Sequence, residues 1–409
     1  MTAPKIRFKE FSENWGSKKI IELADYVDYR GKTPKKVESG VLLVTAKNIK
    51  QGYLDYSASQ EFIEESAFDD VMRRGKVELN DVLITTEAPL GNVASVDRTD
   101  IALAQRVIKY RGKTGLLDNL FLKQKFLSES FQEILKSKAT GGTVQGIKGS
   151  VLHQIPLIVP SKEEQTQIAT FLSAVDEKIS QLSQKLHLLG QYKQGMMQKL
   201  FSQKIRFKAD DGSEFGEWEK TALNTLCSRS YQGINTVADK VEYQQSGYPI
   251  LQAKHITSEK LDLVDVRYLS DLDYEKYKEK YIPKVNDILF SNIGTIGKVV
   301  LVGTENPFFI AWNIFLITPK ETLITPLYLT SYLRWLTALN YFDNLQTGNA
   351  TKFINKTDLL TTVINLPCLE EQTKIANFLS SIDQKIEVVA QQIEQAKLWK
   401  KGLLQQMFV

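Results

Sequence analysis

Ten positions in the stretch from Glu163 to Phe201 are spaced alternately by four and three residues: Ile168, Leu172, Val175, Ile179, Leu182, Leu186, Leu189, Lys193, Met196 and Leu200. That alternation puts them on one stripe of a helix, the heptad seam of a coiled coil, with Lys193 as its polar break. The seam returns 207 residues later as Ile375, Leu379, Ile382, Ile386, Val389, Ile393, Ala396, Lys400, Leu403 and Met407, with Lys400 on the Lys193 position. From Glu163/Glu370 to Ser202/Val409, 17 of 40 aligned pairs are identical. The chain is a duplicated unit, and each copy ends in a long helix.

The duplication covers whole units. Ile6-Arg7-Phe8-Lys9 followed by Trp15 returns as Ile205-Arg206-Phe207-Lys208 followed by Trp218. Asn80-Asp81-Val82-Leu83 matches Asn286-Asp287-Ile288-Leu289, Leu90-Gly91 matches Ile296-Gly297, and Thr140-Gly141 matches Thr347-Gly348. Between these landmarks the copies diverge, most of all over residues 50–75 and 257–282. Short β-branched runs predict strands at Val41–Thr45, Val82–Thr86, Gln105–Tyr110, Ile250–Gln252, Ile288–Ser291 and Ile314–Thr318. Asp118–Lys138 and Pro326–Phe342 read as helical, and Ser161 with Glu164 fits a capping box at the start of the first long helix.

The expected fold class is α+β. Two mixed α/β globular domains, residues 1–160 and 204–367, are separated by helices at 161–203 and 368–409. A 40-residue helix is roughly 60 Å long, while a domain of this size has a radius of gyration of about 15 Å. Only Ser202–Lys204 join the first helix to the next unit, so the second helix buries its seam most simply by running back. The expectation is a dumbbell: a long antiparallel two-helix coiled coil between two domains, with an internal pseudo-two-fold repeat.

Composition excludes several classes. With 43% hydrophobic and 24% charged residues, the chain reads as globular. A net charge of +4 permits nucleic-acid binding without demanding it. Two cysteines, Cys227 and Cys368, are too few for a disulfide scaffold and point to a reducing cytoplasm. The N-terminus lacks an apolar h-region, so no signal peptide is expected. No run of 18 apolar residues occurs, so no membrane span is expected.

Several segments resemble one family. They are IRFKEF…NW at 6–15, NDVLITTEAPLGNVA at 80–94, TGGTVQGI at 140–147 and IPLIVPSKEEQTQIATFLSAVDEKI at 155–179, with second copies at 205–208, 286–300, 347–354 and 366–386. The chain resembles, over essentially its whole length, the DNA-specificity subunit of type I restriction-modification systems. That resemblance implies a non-catalytic subunit whose globular parts are target recognition domains, each reading half of a split, asymmetric site in double-stranded DNA. It also implies helices that set the gap and dock two methyltransferase subunits, with a translocase-nuclease subunit joining the complex. S-adenosylmethionine and ATP are then expected on the partners, and no cofactor on this chain. The rival reading is a coiled-coil scaffold that binds proteins at both ends and never touches DNA.

Under the DNA reading, Arg30, Lys32, Lys35, Lys36, Lys47 and Lys50 form the strongest basic cluster, facing only Glu38 within residues 30–50. Asn48, Thr86, Arg106, Gln145, Lys148, Tyr231, Gln232, Lys254, His255, Asn292, Asn313, Asn349 and Lys352 are further expected DNA contacts, most from matched places in the two copies. Along the helices, the seam doubles as the spacer. Phe171, Phe378, Tyr192 and Trp399 lie off the seam, where they pack on a methyltransferase subunit or on the adjacent domain.

Enzyme signatures fail. Gly31-Lys32-Thr33 and Gly112-Lys113-Thr114 lack the first glycine of a phosphate loop, since Tyr26 and Val107 stand there. Asn306-Pro307-Phe308-Phe309 lacks the second proline of an amino-methyltransferase loop, and no glycine-rich cofactor loop precedes it. His153, His187 and His255 show no metal-ligand spacing.

Overall fold

In a computed structural model, described for residues 4–29, 34–257, 260–348 and 352–408, the chain divides into two compact units. The first runs to Gln184 and resumes at Val389; the second is Lys185–Val388. Each unit therefore takes half of each long helix.

The first unit contains, in chain order, β1 (Gly16–Lys19), α1 (Ile20–Leu23), β2 (Ala24–Asp28), β3 (Val41–Val44), β4 (Phe62–Ile63), α2 (Phe68–Val71), β5 (Val82–Thr85), β6 (Val93–Ser95), β7 (Ile101–Leu103) and β8 (Val107–Gly112). Then follow α3 (Asn119–Leu127), α4 (Glu129–Ser137), α5 (Gly149–Leu152), β9 (Pro156–Val159) and α6, which spans Lys162–Phe201. A four-stranded antiparallel sheet has the order β2-β8-β5-β6, and a three-stranded sheet the order β4-β3-β7, with β3 and β7 parallel. Strands β1 and β9 pair separately.

The second unit repeats this plan. Its elements are β10 (Glu219–Ala222), β11 (Cys227–Gln232), β12 (Tyr248–Leu251), β13 (Arg267–Leu269), α7 (Asp271–Tyr281), β14 (Ile288–Ser291), β15 (Val299–Leu301), β16 (Phe309–Ile310), β17 (Ile314–Pro319), α8 (Pro326–Ala338), α9 (Lys356–Leu360), β18 (Val363–Leu366) and α10 (Leu369–Met407). Its sheets are ordered β11-β17-β14-β15 and β13-β12-β16, with β10 paired to β18. The divergent stretch keeps an edge strand followed by a helix but changes their size: the two-residue β4 and four-residue α2 in one copy, the three-residue β13 and eleven-residue α7 in the other.

Strand periodicity splits each sheet between two cores. Val82 and Ile84 face the core shared with α3, α4 and the long helices, while Leu83 faces the core beneath the three-stranded sheet. Ile288 and Phe290 against Leu289 do the same in the second unit. Burying each of these side chains stabilises by about 2 kcal/mol.

Two helix expectations need correction. The run Asp118–Lys138 is not one helix. Ser128 is extended at ψ 145° and its hydroxyl accepts the Phe131 amide, so it stops α3 and caps α4. Likewise α8 ends at Ala338 and a 3-10 turn follows from Tyr341, after Asn340 adopts a left-handed φ of 56°.

The capping box is only half formed. Ser161 Oγ accepts the Glu164 amide at 3.3 Å, but the Glu164 carboxylate turns elsewhere. It takes a two-pronged grip from Arg7 (Nε and Nη2, both 2.7 Å) and the Trp15 indole at 3.3 Å. In the second unit Arg206 grips Glu371 at 3.0 and 2.7 Å, with the Trp218 indole at 2.9 Å. Gln165 accepts from the Asp118 amide and donates to the Leu116 and Pro160 carbonyls; Gln372 repeats this with Thr325, Leu323 and Pro367. The Arg…Trp and Glu-Gln segments of each repeat are thus two halves of one clasp, which ties the unit's N-terminus to its helix.

The seam is buried within each unit. In the first, Ile168, Leu172, Val175 and Leu182 are buried and Ile179 half-buried, packing with Leu403 and Met407 of α10. Ile6 bonds Gln406 beside Arg7 and Glu164, and Asp176 meets Lys400, so the two helix segments run antiparallel. In the second unit Ile375, Leu379 and Ile382 are buried and Ile386 half-buried, packing with Met197, Leu200 and Phe201. Leu186 is half-buried and Ile393 buried. At the C-terminal end of α6 the buried side chain is Met197 rather than the expected Met196, because an α-helix drifts against a strict seven-residue repeat.

Candidate functional site

Three loops converge at one end of the first unit's four-stranded sheet. Past β5, the Thr86 amide donates to the Arg106 carbonyl at 3.0 Å, and the Ile147 amide donates to the Thr86 carbonyl at 3.0 Å. Thr140 and Gly146 exchange both backbone bonds, and Gly146 bridges Glu87. The second unit reproduces this frame: Asn292 donates to Asn313, Ile354 to Asn292, and Thr347 pairs with Phe353, which bridges Ile293. Backbone geometry therefore aligns Glu87 with Ile293, Arg106 with Asn313 and Gly146 with Phe353.

The loop leaving each strand is built alike. Thr85 Oγ1 donates to the Pro89 carbonyl and accepts the Asn92 amide; Ser291 does the same with Thr295 and Lys298. Gly91 (φ 80°) and Gly297 (φ 82°) close these loops, and a Cβ at Gly91 would sit 2.6 Å from Gln132 Oε1. This is the physical basis of the matched Leu-Gly and Ile-Gly pairs.

In the first unit the loops form an open cleft of about 450 Å³ lined by Thr86, Glu87, Gln105, Arg106, Thr140, Val144, Gly146, Ile147 and Lys148. Arg106 Nε lies 2.6 Å from Glu87 Oε1. A neighbouring depression is lined by Gln145, Val144 and Lys136 among others. The structure thus brings together Thr86, Arg106, Gln145 and Lys148 of the expected contacts. It adds Glu87 and Gln105, which carried no sequence signal beyond adjacency to Thr86 and Arg106.

Other expected contacts are placed differently. Asn48 is buried: its amide oxygen accepts from Thr45 N and Oγ1, and its Nδ2 donates to the Asp55 and Ser59 carbonyls. His255 is buried with Nδ1 accepting the Gln252 amide, and burial pushes its imidazole below the usual range. Both close their own loops and are not presented to a ligand. Lys47 is exposed, and the exposed Lys254 reaches the Asp265 carbonyl. Thr86 and Asn292 are buried, with Thr86 Oγ1 on the Arg106 carbonyl and Asn292 Nδ2 on the Ile354 carbonyl. Asn313 Oδ1 accepts the Ala253 amide, and Gln232 Nε2 donates to the Trp312 carbonyl. Tyr231 is buried against Tyr281, and its hydroxyl has no hydrogen-bond partner among the described residues. Lys352 is exposed.

The basic cluster is less free than residues 30–50 suggest. Lys36 pairs with Glu61 at 2.7 Å and Lys35 with Glu64 at 3.8 Å, both acids arriving from outside that window. Arg30, Lys32 and Asn349 lie outside the described residues.

On the helices, Phe171 packs edge-on against Phe8 and Trp399, and Phe378 against Phe207. Trp399 and Tyr192 remain 54% and 51% exposed. Among the described residues no helix is long and apolar enough to cross a membrane, and no group of three His, Cys, Asp or Glu side chains is placed to hold a metal.

Comparison with known proteins agrees with this architecture. A specificity subunit of the type I restriction enzyme MjaVIII from Methanocaldococcus jannaschii is 25% identical over 414 residues, covering 96% of this chain and 91% of the relative. The EcoBI specificity subunit of Escherichia coli is 22% identical over 278 residues, 64% of this chain and 58% of the relative. The solved S subunit of a type I system from M. genitalium superposes with a TM-score of 0.60 at 16% identity over 100% of this chain and 99% of that one. A chain from a structure on assembly and conformational transition of the type I R-M system gives 0.55 at 17% identity, over 97% of each. The profile of the type I restriction modification DNA specificity domain matches residues 12–189 and again 216–398, so the chain belongs to that family of DNA sequence-specificity domains.

Proposed function

We propose that each unit reads one half of a bipartite, asymmetric site in double-stranded DNA, through the loop cluster at the end of its four-stranded sheet. One observation carries the reading. The backbone frame around Thr86 and Asn292 is the same in both units, yet its side chains are unrelated: Glu87, Arg106 and Gly146 in one, Ile293, Asn313 and Phe353 in the other. A kept frame with exchanged side chains is what two readers of different sequences need. The scaffold reading, with no DNA contact, does not fit the family.

The paired segments of α6 and α10 set the gap between half-sites, as protein geometry sets half-site spacing elsewhere. The exposed Trp399 and Tyr192, lying off the seam, are offered to two methyltransferase subunits. A translocase-nuclease subunit completes the complex. S-adenosylmethionine and ATP bind those partners in this reading, and calorimetry of this chain alone with S-adenosylmethionine is expected to show no binding; a micromolar-range signal would contradict it.

The test is adenine-methylation mapping of host DNA with and without the gene, and with residues 1–160 exchanged for those of a relative. The reading requires a bipartite motif that vanishes with the gene and changes in one half only with the exchange. A change in both halves, or in neither, refutes it.

A further inference from the structure

Arg106 is held in a backbone conformation its side chain does not favour. Its φ is 73°, in the left-handed region that a long side chain rarely enters. It forms an ion pair with Glu87 in which the side chains are 51% and 40% exposed, and pairs that open to water add little stability. The Arg106 backbone serves the loop frame, its carbonyl accepting from Thr86 N and Oγ1, while its guanidinium is left half-exposed beside Glu87 at the mouth of the cleft. Gly146 leaves the room for the pair, since a Cβ there would meet the Glu87 Cβ at 3.3 Å and Oε2 at 3.4 Å.

The aligned station in the second unit is chemically opposite. Phe353 replaces Gly146, Ile293 replaces Glu87, and Trp312 stands where the first unit has Gln105. Trp312 is 46% exposed and Phe353 38%. Large apolar side chains gathered at a solvent-facing loop cluster mark a contact surface.

We propose that this one station sets base identity in both halves, with a guanine read in the first and a thymine in the second. Arg106, braced by Glu87, presents a guanidinium fork to the paired O6 and N7 acceptors of guanine. Trp312 and Phe353 offer apolar surface to a thymine methyl group. The proposal rests on the half-site reading above.

The experiment uses the full-length chain in complex with its methyltransferase subunits and sequences the duplexes it selects from a library randomised over both halves. Arg106→Asn is the main variant because asparagine accepts a left-handed backbone. It is expected to lower one guanine preference in the first half by about 10- to 100-fold, leaving the second half intact. Arg106→Lys does not restore it, because lysine lacks the fork. Trp312→Ala relaxes a thymine preference in the second half only. If Arg106→Asn weakens every sequence equally and the guanine preference survives, Arg106 is a phosphate contact and the proposal is overturned while the half-site reading stands. If wild type selects no bipartite site, the half-site reading itself falls. Should Arg106→Asn fail to assemble, Glu87→Gln decides: a weakened guanine preference supports the proposal and an unchanged one overturns it.

Discussion

Lys400 Nζ lies 2.5 Å from Asp176 Oδ1, so the polar break in one helical seam is answered by a carboxylate of the other. In the second unit the equivalent residues, Lys193 and Asp383, make the equivalent ion pair. Burial pushes the Asp176 carboxyl up, but Lys123, Lys400 and the Gln124 amide outweigh it and hold the group below the usual carboxylate range. Asp176 is thus a hub for three side chains, and Lys400 is one of its spokes.

Asp176→Asn is therefore expected to cost more than Lys400→Met. The first strands two largely buried ammonium groups, a loss of about 3–5 kcal/mol. The second leaves the carboxylate with Lys123 and Gln124, and is expected to cost about 1–3 kcal/mol. Urea unfolding of the full chain measures both; equal losses contradict the hub.

The clasps predict local effects. Glu164→Ala deprives Arg7 and the Trp15 indole of their shared acceptor, at a cost of about 2–4 kcal/mol. Hydrogen exchange is expected to rise over residues 4–19 while residues 205–222 stay protected. Glu371→Ala gives the reverse, through Arg206 and Trp218. Loosening of both termini by either change contradicts independent clasps.

Much of this fold was legible because it lies in periodicity. The seam, the strand pairs Val82–Thr85 and Ile288–Ser291, and the duplication need only spacing and self-comparison. The break at Ser128 was not legible, because a serine inside an apolar-faced run reads equally as a solvent-side helix residue or as a cap. Asn48 and His255 misled for a related reason. A matched place at a strand end marks a loop that must be closed, and here the side chains do the closing. Glu87 stayed hidden because it meets Arg106 and Gly146 across three separate loops, a relation no local spacing encodes.

The two cysteines should differ sharply in reactivity. Cys227 is buried, its thiol donates to the Leu223 carbonyl, and burial pushes its pKa up to about 12. Cys368, just ahead of α10, is exposed. Alkylation of the native chain at neutral pH is expected to label Cys368 alone, since the thiolate is the reactive form. Mass-spectrometric detection of an adduct on Cys227 before unfolding contradicts the placement.

Lys125 gives a pH signature with a defined sign. It is buried in α3 beneath the Phe408 ring, 5.6 Å from its centroid, and burial lowers its pKa from 10.5 to about 8. Below pH 8 both folded and unfolded chains carry the proton, so the full penalty of the buried ammonium, about 3 kcal/mol, weighs on the fold. Between pH 8 and 10.5 the unfolded chain holds more protons than the folded one, and stability rises with pH. Lys125→Met removes this increment and leaves every other titration in place. The difference between wild type and variant is thus expected to shift by about 2 kcal/mol from pH 7.5 to 9.5, in favour of wild type. Chemical denaturation at matched pH values reads it directly, and parallel stability curves for the two proteins contradict a desolvated Lys125.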